Sequence, residues 1–204
     1  FKPIAWRLGD IEAALRTSPV LGTGNAALFS GISTDSRTIK QDQVFLALAG
    51  ENFDGHDFVF DLVDKKIKVF VVNQNYFDQL KNDQLEILKK NQISVFTCSN
   101  TLEGLGQLAN YQRHRAGVKV LALTGSSGKT TTRKICEQIF CNFFKTHATS
   151  GNLNNEIGVP LTLLQLSSAH EWAVIEMGMN HAGEISRLTR IAQPDIAMVL
   201  NTAE

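Results

Sequence analysis

Apolar residues recur along the chain in short, nearly unbroken runs, separated by stretches where they fall three and four apart. Val44–Ala49, Val69–Val72, Ile93–Phe96, Val118–Leu123, Ala173–Ile175 and Ile196–Leu200 are runs of the first kind. Runs this short and continuous predict strands covered on both faces. Between them, Phe58, Val59, Leu62 and Val63 share one helical face after Gly55-His56-Asp57, and Leu102, Leu105, Leu108 and Ala109 do so after the capping cluster Ser99-Asn100-Thr101. Alternation of the two patterns predicts an α/β fold, largely parallel in its second half. Up to about residue 98 the elements are short and Gly, Asp and Ser are frequent; beyond it a helix leads into a strong strand–loop–helix unit. The pattern predicts two domains, residues 1–98 and 99–204, with no Pro- or Gly-rich linker between them.

Composition narrows the function classes. Twenty Lys and Arg balance twenty Asp and Glu, which argues against a broad polybasic surface for nucleic acid. Hydrophobic residues make up 43% of the chain, enough for a true core. No apolar run approaches the roughly 18 residues of a membrane helix, so no membrane insertion is expected. The opening Phe1-Lys2-Pro3-Ile4-Ala5-Trp6 lacks the basic and apolar regions of a signal peptide, and the missing initiator Met suggests a trimmed chain. Cys98, Cys136 and Cys141 are few, odd in number and without a C-x-x-C spacing. They read as small buried apolar groups in a reducing cytoplasm, not as a disulfide framework or zinc site.

The sharpest chemical signal follows the strand at Val120–Leu123, where Thr124-Gly125-Ser126-Ser127-Gly128-Lys129-Thr130-Thr131 leads into a helical stretch with Ile135, Ile139 and Phe140. Gly125 and Gly128 let the backbone curl so that successive N–H groups can meet phosphate oxygens, and the helix start adds its unsatisfied N–H groups. Lys129 is placed to neutralise β- and γ-phosphates, and the Thr130 hydroxyl to ligate Mg²⁺. The loop departs from the general P-loop pattern, which wants Gly where this chain has Leu123. The competing reading is a glycine-rich turn with Lys129 in solvent.

A P-loop site needs an acidic residue at a nearby strand end to hold the metal. Ala173-Val174-Ile175-Glu176 supplies one, the alternative being a strand-terminal Glu facing water. In the following stretch, His181 and Glu184 are open to two readings: contact with substrate or metal, or loop polar groups with Glu184 in the first turn of a helix from Ile185 to Ala192.

These residues resemble a known family. Thr124 to Thr131 is similar to the phosphate loop of the Mur ligases, the ATP-dependent amino-acid ligases of peptidoglycan precursor synthesis. Three other stretches resemble one branch of it: Ser150-Gly151-Asn152-Leu153-Asn154-Asn155-Glu156-Ile157-Gly158-Val159-Pro160-Leu161-Thr162-Leu163-Leu164; Glu176-Met177-Gly178-Met179-Asn180-His181-Ala182-Gly183-Glu184-Ile185; and Thr34-Asp35-Ser36-Arg37 with Val44-Phe45-Leu46-Ala47-Leu48 and Gly50-Glu51-Asn52-Phe53-Asp54-Gly55-His56-Asp57-Phe58. The resemblance implies an enzyme that adds D-alanyl-D-alanine to UDP-N-acetylmuramoyl-tripeptide through an acyl phosphate, using ATP and Mg²⁺, as a monomer at full length. It implies a small N-terminal α/β domain binding the UDP end, a central P-loop domain for ATP, and a C-terminal Rossmann-like domain. This chain would hold the first and part of the second. A family His that helps bind a second Mg²⁺, and a lysine carbamylated in some members, would lie past the segment Asn201-Thr202-Ala203-Glu204. The chain alone is therefore expected not to be a competent ligase.

By the same resemblance, Lys129 and Glu176 are catalytic, and Thr130 and Glu176 hold the metal. Ser33, Asp35, Ser36 and Arg37 contact the uridine diphosphate, where hydroxyls suit uracil and phosphate edges and Arg37 a pyrophosphate. A polar turn with Arg37 paired to Asp35 is the plainer alternative. His56 either touches substrate or starts a helix. Asn154 and Asn155 either orient the muramoyl-peptide or form a turn. Other ligases of the superfamily, folylpolyglutamate- or cyanophycin-synthetase-like, and a P-loop regulatory module remain alternatives; a UDP-type N-terminal half and the asparagine-rich loop argue against the first, the absence of switch motifs against the second.

Overall fold

The computed structural model describes residues 1–22, 27–50 and 53–202. Glu51 and Asn52 of the Gly50–Phe58 stretch, and Ala203 and Glu204, lie outside the described residues. The chain forms two compact units, Ala5–Leu105 and Phe1–Ile4 with the chain from Gly106 onward. The division falls inside one helix, Thr101–Ala116.

In the unit Ala5–Leu105, helix α1 (Leu8–Leu15) precedes strands β1 (Gly31–Ser33) and β2 (Gln43–Leu46), a short β3 (Ala49–Gly50) and β4 (Phe53–Asp54), a 3₁₀ turn (Gly55–Phe58) and α2 (Val59–Asp64). Then come β5 (Val69–Asn73), α3 (Gln74–Asp78), α4 (Asn82–Lys90) and β6 (Ser94–Cys98). The sheet runs β1-β2-β5-β6 with every pairing parallel, so the parallel arrangement expected of the second half holds in the first as well. Phe45, Phe70, Val72, Leu62, Val63, Leu88 and Val95 form its core. Phe45 and Phe70 meet edge to face with centroids 6.2 Å apart. These strands read as continuous apolar runs because both faces are covered. The predicted strand over Val44–Ala49 stops at Leu46. Past it the chain leaves the sheet and pairs β3 with β4, antiparallel. Gly55 closes that excursion: its N–H donates to Leu48 O at 2.8 Å, and a Cβ there would lie 2.9 Å from the same oxygen.

The other unit continues with α5 (Thr101–Ala116), β7 (Lys119–Thr124), α6 (Lys129–Cys141), β8 (Thr146–Ala148), α7 (Gly158–Leu164), β9 (Trp172–Glu176), α8 (Glu184–Ala192) and β10 (Ile196–Val199). Asn100 Oδ1 accepts the N–H groups of Leu102 and Glu103 and so caps α5. The sheet order is β10-β7-β9-β8, all parallel. From β7 the chain crosses to β8 beyond β9, returns to β9, then crosses to β10 on the opposite side. The carboxyl end of β7 is therefore a topological switch point, where open α/β sheets leave a crevice for ligands.

Packing decides three points, the last of them a correction. Strand β10, at one end of the sheet order, carries exposed apolar side chains, with Ile196 46% and Val199 66% exposed. On α6 it is Cys136 and Phe140 that pack against Leu121, Leu123 and Val174, while Ile135 and Ile139 are exposed; one residue of helix turns the side chain by about 100°. The cysteines are not uniformly buried. Cys141 is exposed and Cys98 and Cys136 are half-buried, although burial still pushes the Cys98 thiol up to about 11. Among the described residues no helix is long and apolar enough to cross a membrane.

Phe70 is fully buried at the centre of the first sheet. Phe70→Ala is expected to destabilise that unit by about 3–5 kcal/mol. Urea unfolding checks this; a loss under about 1 kcal/mol would mean that the core repacks far more freely than such interiors do.

Candidate active site

Strand β7 carries the chain to Thr124, and the phosphate loop follows. Gly125, at φ +153°, passes so close to the end of β10 that a Cβ would lie 3.1 Å from Leu200 Cβ and 3.2 Å from Asn201 N. Gly128, at φ +77°, takes the left-handed conformation that lets α6 begin at Lys129. The loop's N–H groups are used unequally. Ser126 N–H donates to Asn201 O at 3.2 Å and Ser127 N–H to Asn201 Oδ1 at 3.0 Å. Lys129, Thr130 and Thr131 occupy the first turn of α6, whose N–H groups have no partners within the helix. Lys129 Nζ arches back and donates to Gly125 O at 2.6 Å, so its ammonium sits over the loop and not in open solvent.

Glu176 ends β9 beside this loop, only 1% exposed. The register that pairs it with Leu123 sets it level with the end of β7. That excludes the water-facing alternative. Thr130 Oγ1 donates to Glu176 Oε1 at 3.3 Å and Asn154 Nδ2 donates to the same oxygen at 2.8 Å. Glu176 N–H donates to the buried Thr149 Oγ1 at 2.9 Å. Its Oε2 has no hydrogen-bond partner; Arg133 Nε stands 3.6 Å away, while Arg133 Nη1 donates to Glu137 at 2.6 Å. Burying a carboxylate is costly unless it is paired or meets a cation. Oε1, which meets the Thr130 hydroxyl, forms with it a pair of hard oxygen donors that suits Mg²⁺, while Oε2 faces Arg133. Among the described residues no group of three or more His, Cys, Asp or Glu could hold a metal. Mg²⁺ keeps several waters and takes substrate phosphates, so it can be seated by as few as two protein oxygens.

The asparagine-rich loop divides its labour. Asn154 holds Glu176 with its side chain, and its backbone oxygen accepts Gly178 N–H at 2.7 Å. Gly158 admits the loop, since a Cβ there would lie 2.4 Å from the Leu153 backbone. Asn155 Oδ1 accepts the N–H groups of Ile157 and Gly158 and caps α7, the turn role read for it as one alternative. Glu156 pairs with Arg187 of α8. Glu184 Oε2 accepts Asn180 N–H at 2.7 Å, and that bond holds its carboxyl below the usual range; His181 is exposed. Arg133 and Thr149 were not singled out from sequence. Arg133 lies three residues after Thr130, hence on the same helix face, whereas nothing in the sequence marks Thr149.

In the unit Ala5–Leu105, a separate cavity of about 400 Å³ is lined by Thr34, Asp35, Ser36, Arg37, Phe53 and Phe58. Phe53 and Phe58 stack with centroids 5.5 Å apart. Ser33 Oγ accepts Asp35 N–H at 3.2 Å, and Ser36 is buried. Arg37 Nε and Nη2 each donate to Asp35 at 2.9 Å, the pairing read as the plainer alternative, with Arg37 still 86% exposed. His56 is buried and both its ring nitrogens are engaged: Nδ1 lies 2.5 Å from Asp54 Oδ1, and Nε2 accepts Asn73 N–H at 2.9 Å. The ring thus pins the end of β5 to the turn before α2, with no nitrogen left to meet a ligand. The engaged nitrogens favour the second reading, in which His56 belongs to the turn that starts α2.

The Arg37 fork holds the Asp35 carboxyl down at about 2 from its ordinary 3.8. A depressed carboxylate contributes its pairing above the ordinary value and loses it as pH falls through the folded one. An NMR titration should therefore place the Asp35 midpoint near 2, and Arg37→Ala should return it toward 3.8. A wild-type midpoint at the ordinary value would mean that the fork is not formed in solution.

Residues 28–113 match the Mur ligase family catalytic domain, and residues 123–204 the Mur ligase middle domain. The UDP-N-acetylmuramoyl-tripeptide–D-alanyl-D-alanine ligase of Bacillus subtilis is 37% identical over 174 residues, which cover 85% of this chain and 36% of that protein. The Escherichia coli enzyme of the same name is 37% identical over 172 residues, 84% of this chain and 35% of that one. A crystal structure of MurF from Acinetobacter baumannii superposes with a TM-score of 0.84 at 35% identity, covering 98% of this chain and 42% of that chain. MurF ligase from Thermotoga maritima, in complex with ADP, gives a TM-score of 0.69 at 30% identity over 84% of this chain and 37% of that one. The chain thus spans well under half the length of these relatives. With both halves matched by the family's own domains along a shared chain path, it belongs to the Mur ligase family.

Proposed function

We propose that this chain forms the N-terminal and central parts of an ATP-dependent ligase that joins D-alanyl-D-alanine to UDP-N-acetylmuramoyl-tripeptide in the cytoplasm. Residues 1–98 are assigned to the uridine diphosphate end of the substrate and residues 99–204 to ATP. The observation that carries the reading is the buried Glu176 bridged to Thr130 and Asn154 beside the phosphate loop. The names of the relatives support the substrate assignment, and the ADP complex of the Thermotoga maritima relative supports the nucleotide.

The chemistry to be served is amide formation from a carboxylate, a poor electrophile with oxide as its leaving group. Transfer of the γ-phosphoryl group of ATP to a carboxylate oxygen releases ADP and gives an acyl phosphate. The D-alanyl-D-alanine amine then attacks the acyl carbon, loses a proton, and the tetrahedral adduct expels inorganic phosphate. Such a sequence asks the protein for position and charge neutralisation. Lys129 exchanges its bond to Gly125 O for phosphate oxygens, and the first N–H groups of α6 orient them. Thr130 and Glu176 would hold Mg²⁺, which supplies neutralisation of the phosphate charge when bound. Asn154 keeps the carboxylate aimed at the loop, and Arg133 balances its charge beside the other oxygen, Oε2. On the uridine side, the Phe53–Phe58 pair offers an apolar wall for a planar base, and the Ser33–Arg37 turn offers hydroxyls and a guanidinium for phosphate.

In the full-length protein, Lys129→Ala should lower turnover by a factor on the order of 10³ or more, read as pentapeptide product by mass spectrometry. Near-normal turnover in folded mutant would remove Lys129 from the phosphoryl site. Glu176→Gln keeps the shape but not the charge. It should raise the Mg²⁺ concentration needed for half-maximal rate while leaving UDP-substrate affinity unchanged; an unaltered Mg²⁺ dependence would remove Glu176 from the metal.

A further inference from the structure

Asn201, just past β10, reaches the phosphate loop with both its backbone and its side chain. Its backbone oxygen takes Ser126 N–H at 3.2 Å. Its side-chain amide then pairs with both sides of Ser127: Oδ1 accepts Ser127 N–H at 3.0 Å, while Nδ2 lies 3.3 Å from Ser127 O and 3.1 Å from Ser127 Oγ. The approach is prepared on both sides. Leu200 N–H donates to Thr124 O at 2.9 Å, which extends the β10–β7 ladder up to the loop, and glycine at 125 leaves the space that Leu200 and Asn201 fill.

We propose that Asn201 is a positioning residue of the phosphate loop. An anion at the loop competes for every backbone N–H that points at it. By engaging Ser126 and Ser127, Asn201 takes two of these donors out of that competition and fixes the outer limb of the loop as though it were a further strand residue. The phosphate is then directed inward, to Lys129 and the first turn of α6, on the side where Thr130 and Glu176 meet. A primary amide suits this task because it offers an acceptor to the peptide N–H and donors to the carbonyl and hydroxyl while adding no charge beside a polyphosphate. Aspartate would keep the acceptor, lose the donors and repel the ligand. The inference rests on the nucleotide reading of the loop, but the hydrogen bonds themselves do not.

The experiment uses the full-length protein and two measurements: hydrogen exchange at Ser126 and Ser127, and affinity for a fluorescent ADP. Asn201→Ala should speed exchange at Ser127 about tenfold and weaken ADP by a similar factor, with exchange in β7, β9 and α6 unchanged and UDP-substrate affinity retained. Asn201→Asp should keep Ser127 protected yet weaken ADP at least as much as alanine does, a split that loss of general stability cannot produce. Unchanged exchange at Ser127 in Asn201→Ala, or exchange raised evenly across the sheet, would overturn the proposal. Failure of the wild-type protein to bind ADP would sink the nucleotide reading instead, and the exchange pattern would still decide whether Asn201 holds the loop.

Discussion

A buried carboxylate organises the second unit. Glu176 lies where β9 ends, out of water, with one oxygen bonded by Thr130 and Asn154 and the other left without a hydrogen bond. A carboxylate so placed must be compensated, and the compensation comes from two segments far apart in sequence: the phosphate-loop helix through Thr130 and Arg133, and the asparagine-rich loop through Asn154; Thr149, past the end of β8, holds the Glu176 backbone N–H instead. Removing any one partner exposes the others to the cost of an unpaired buried charge. The charge therefore ties these two segments into one arrangement beside the phosphate loop.

Parallel pairing explains why those segments meet at all. Every strand of the sheet β10-β7-β9-β8 points the same way, so the loops after β7, β9 and β10 all emerge at one edge. The phosphate loop is flanked on one side by the end of β9, bearing Glu176, and on the other by the end of β10, bearing Asn201. The two neighbours act differently. Glu176 offers charge to the ligand side, and Asn201 offers neutral hydrogen bonds to the loop itself.

The unit Ala5–Leu105 is also built on a parallel sheet, but its strands follow chain order, β1-β2-β5-β6. Its turn after β1 carries Asp35 and Arg37 in a fork open to solvent, beside two stacked phenylalanines. In contrast, His56 is consumed by the fold: Asp54 and Asn73 take its two nitrogens. Burial pushes the Asp54 carboxyl up, yet the His56 N–H groups outweigh it and hold it below the usual range. One histidine ties the end of the inner strand β5 in place, while Arg37, forked to Asp35, lies exposed.

Much of this was legible in the sequence because it is local. The strands at Val69, Val118 and Ala173 announce themselves as apolar runs, and the loop from Thr124 to Thr131 carries its glycines, lysine and threonine in adjacent positions. The three-residue strands β1 and β8 were not legible, since Gly31–Ser33 and Thr146–Ala148 are too short and too polar to form a run and are strands only because a neighbour pairs with them. Composition could not tell that Ile135 and Ile139 face outward while Cys136 and Phe140 face the sheet, because the helix phase is set by what it packs on. Nor could it assign His56, Asn155 or Asn201. Each has a polar side chain with several possible partners, and only the packed chain, by bringing Asn73, Gly158 or Ser127 within hydrogen-bond reach, decides which groups must be satisfied and which are left for a ligand.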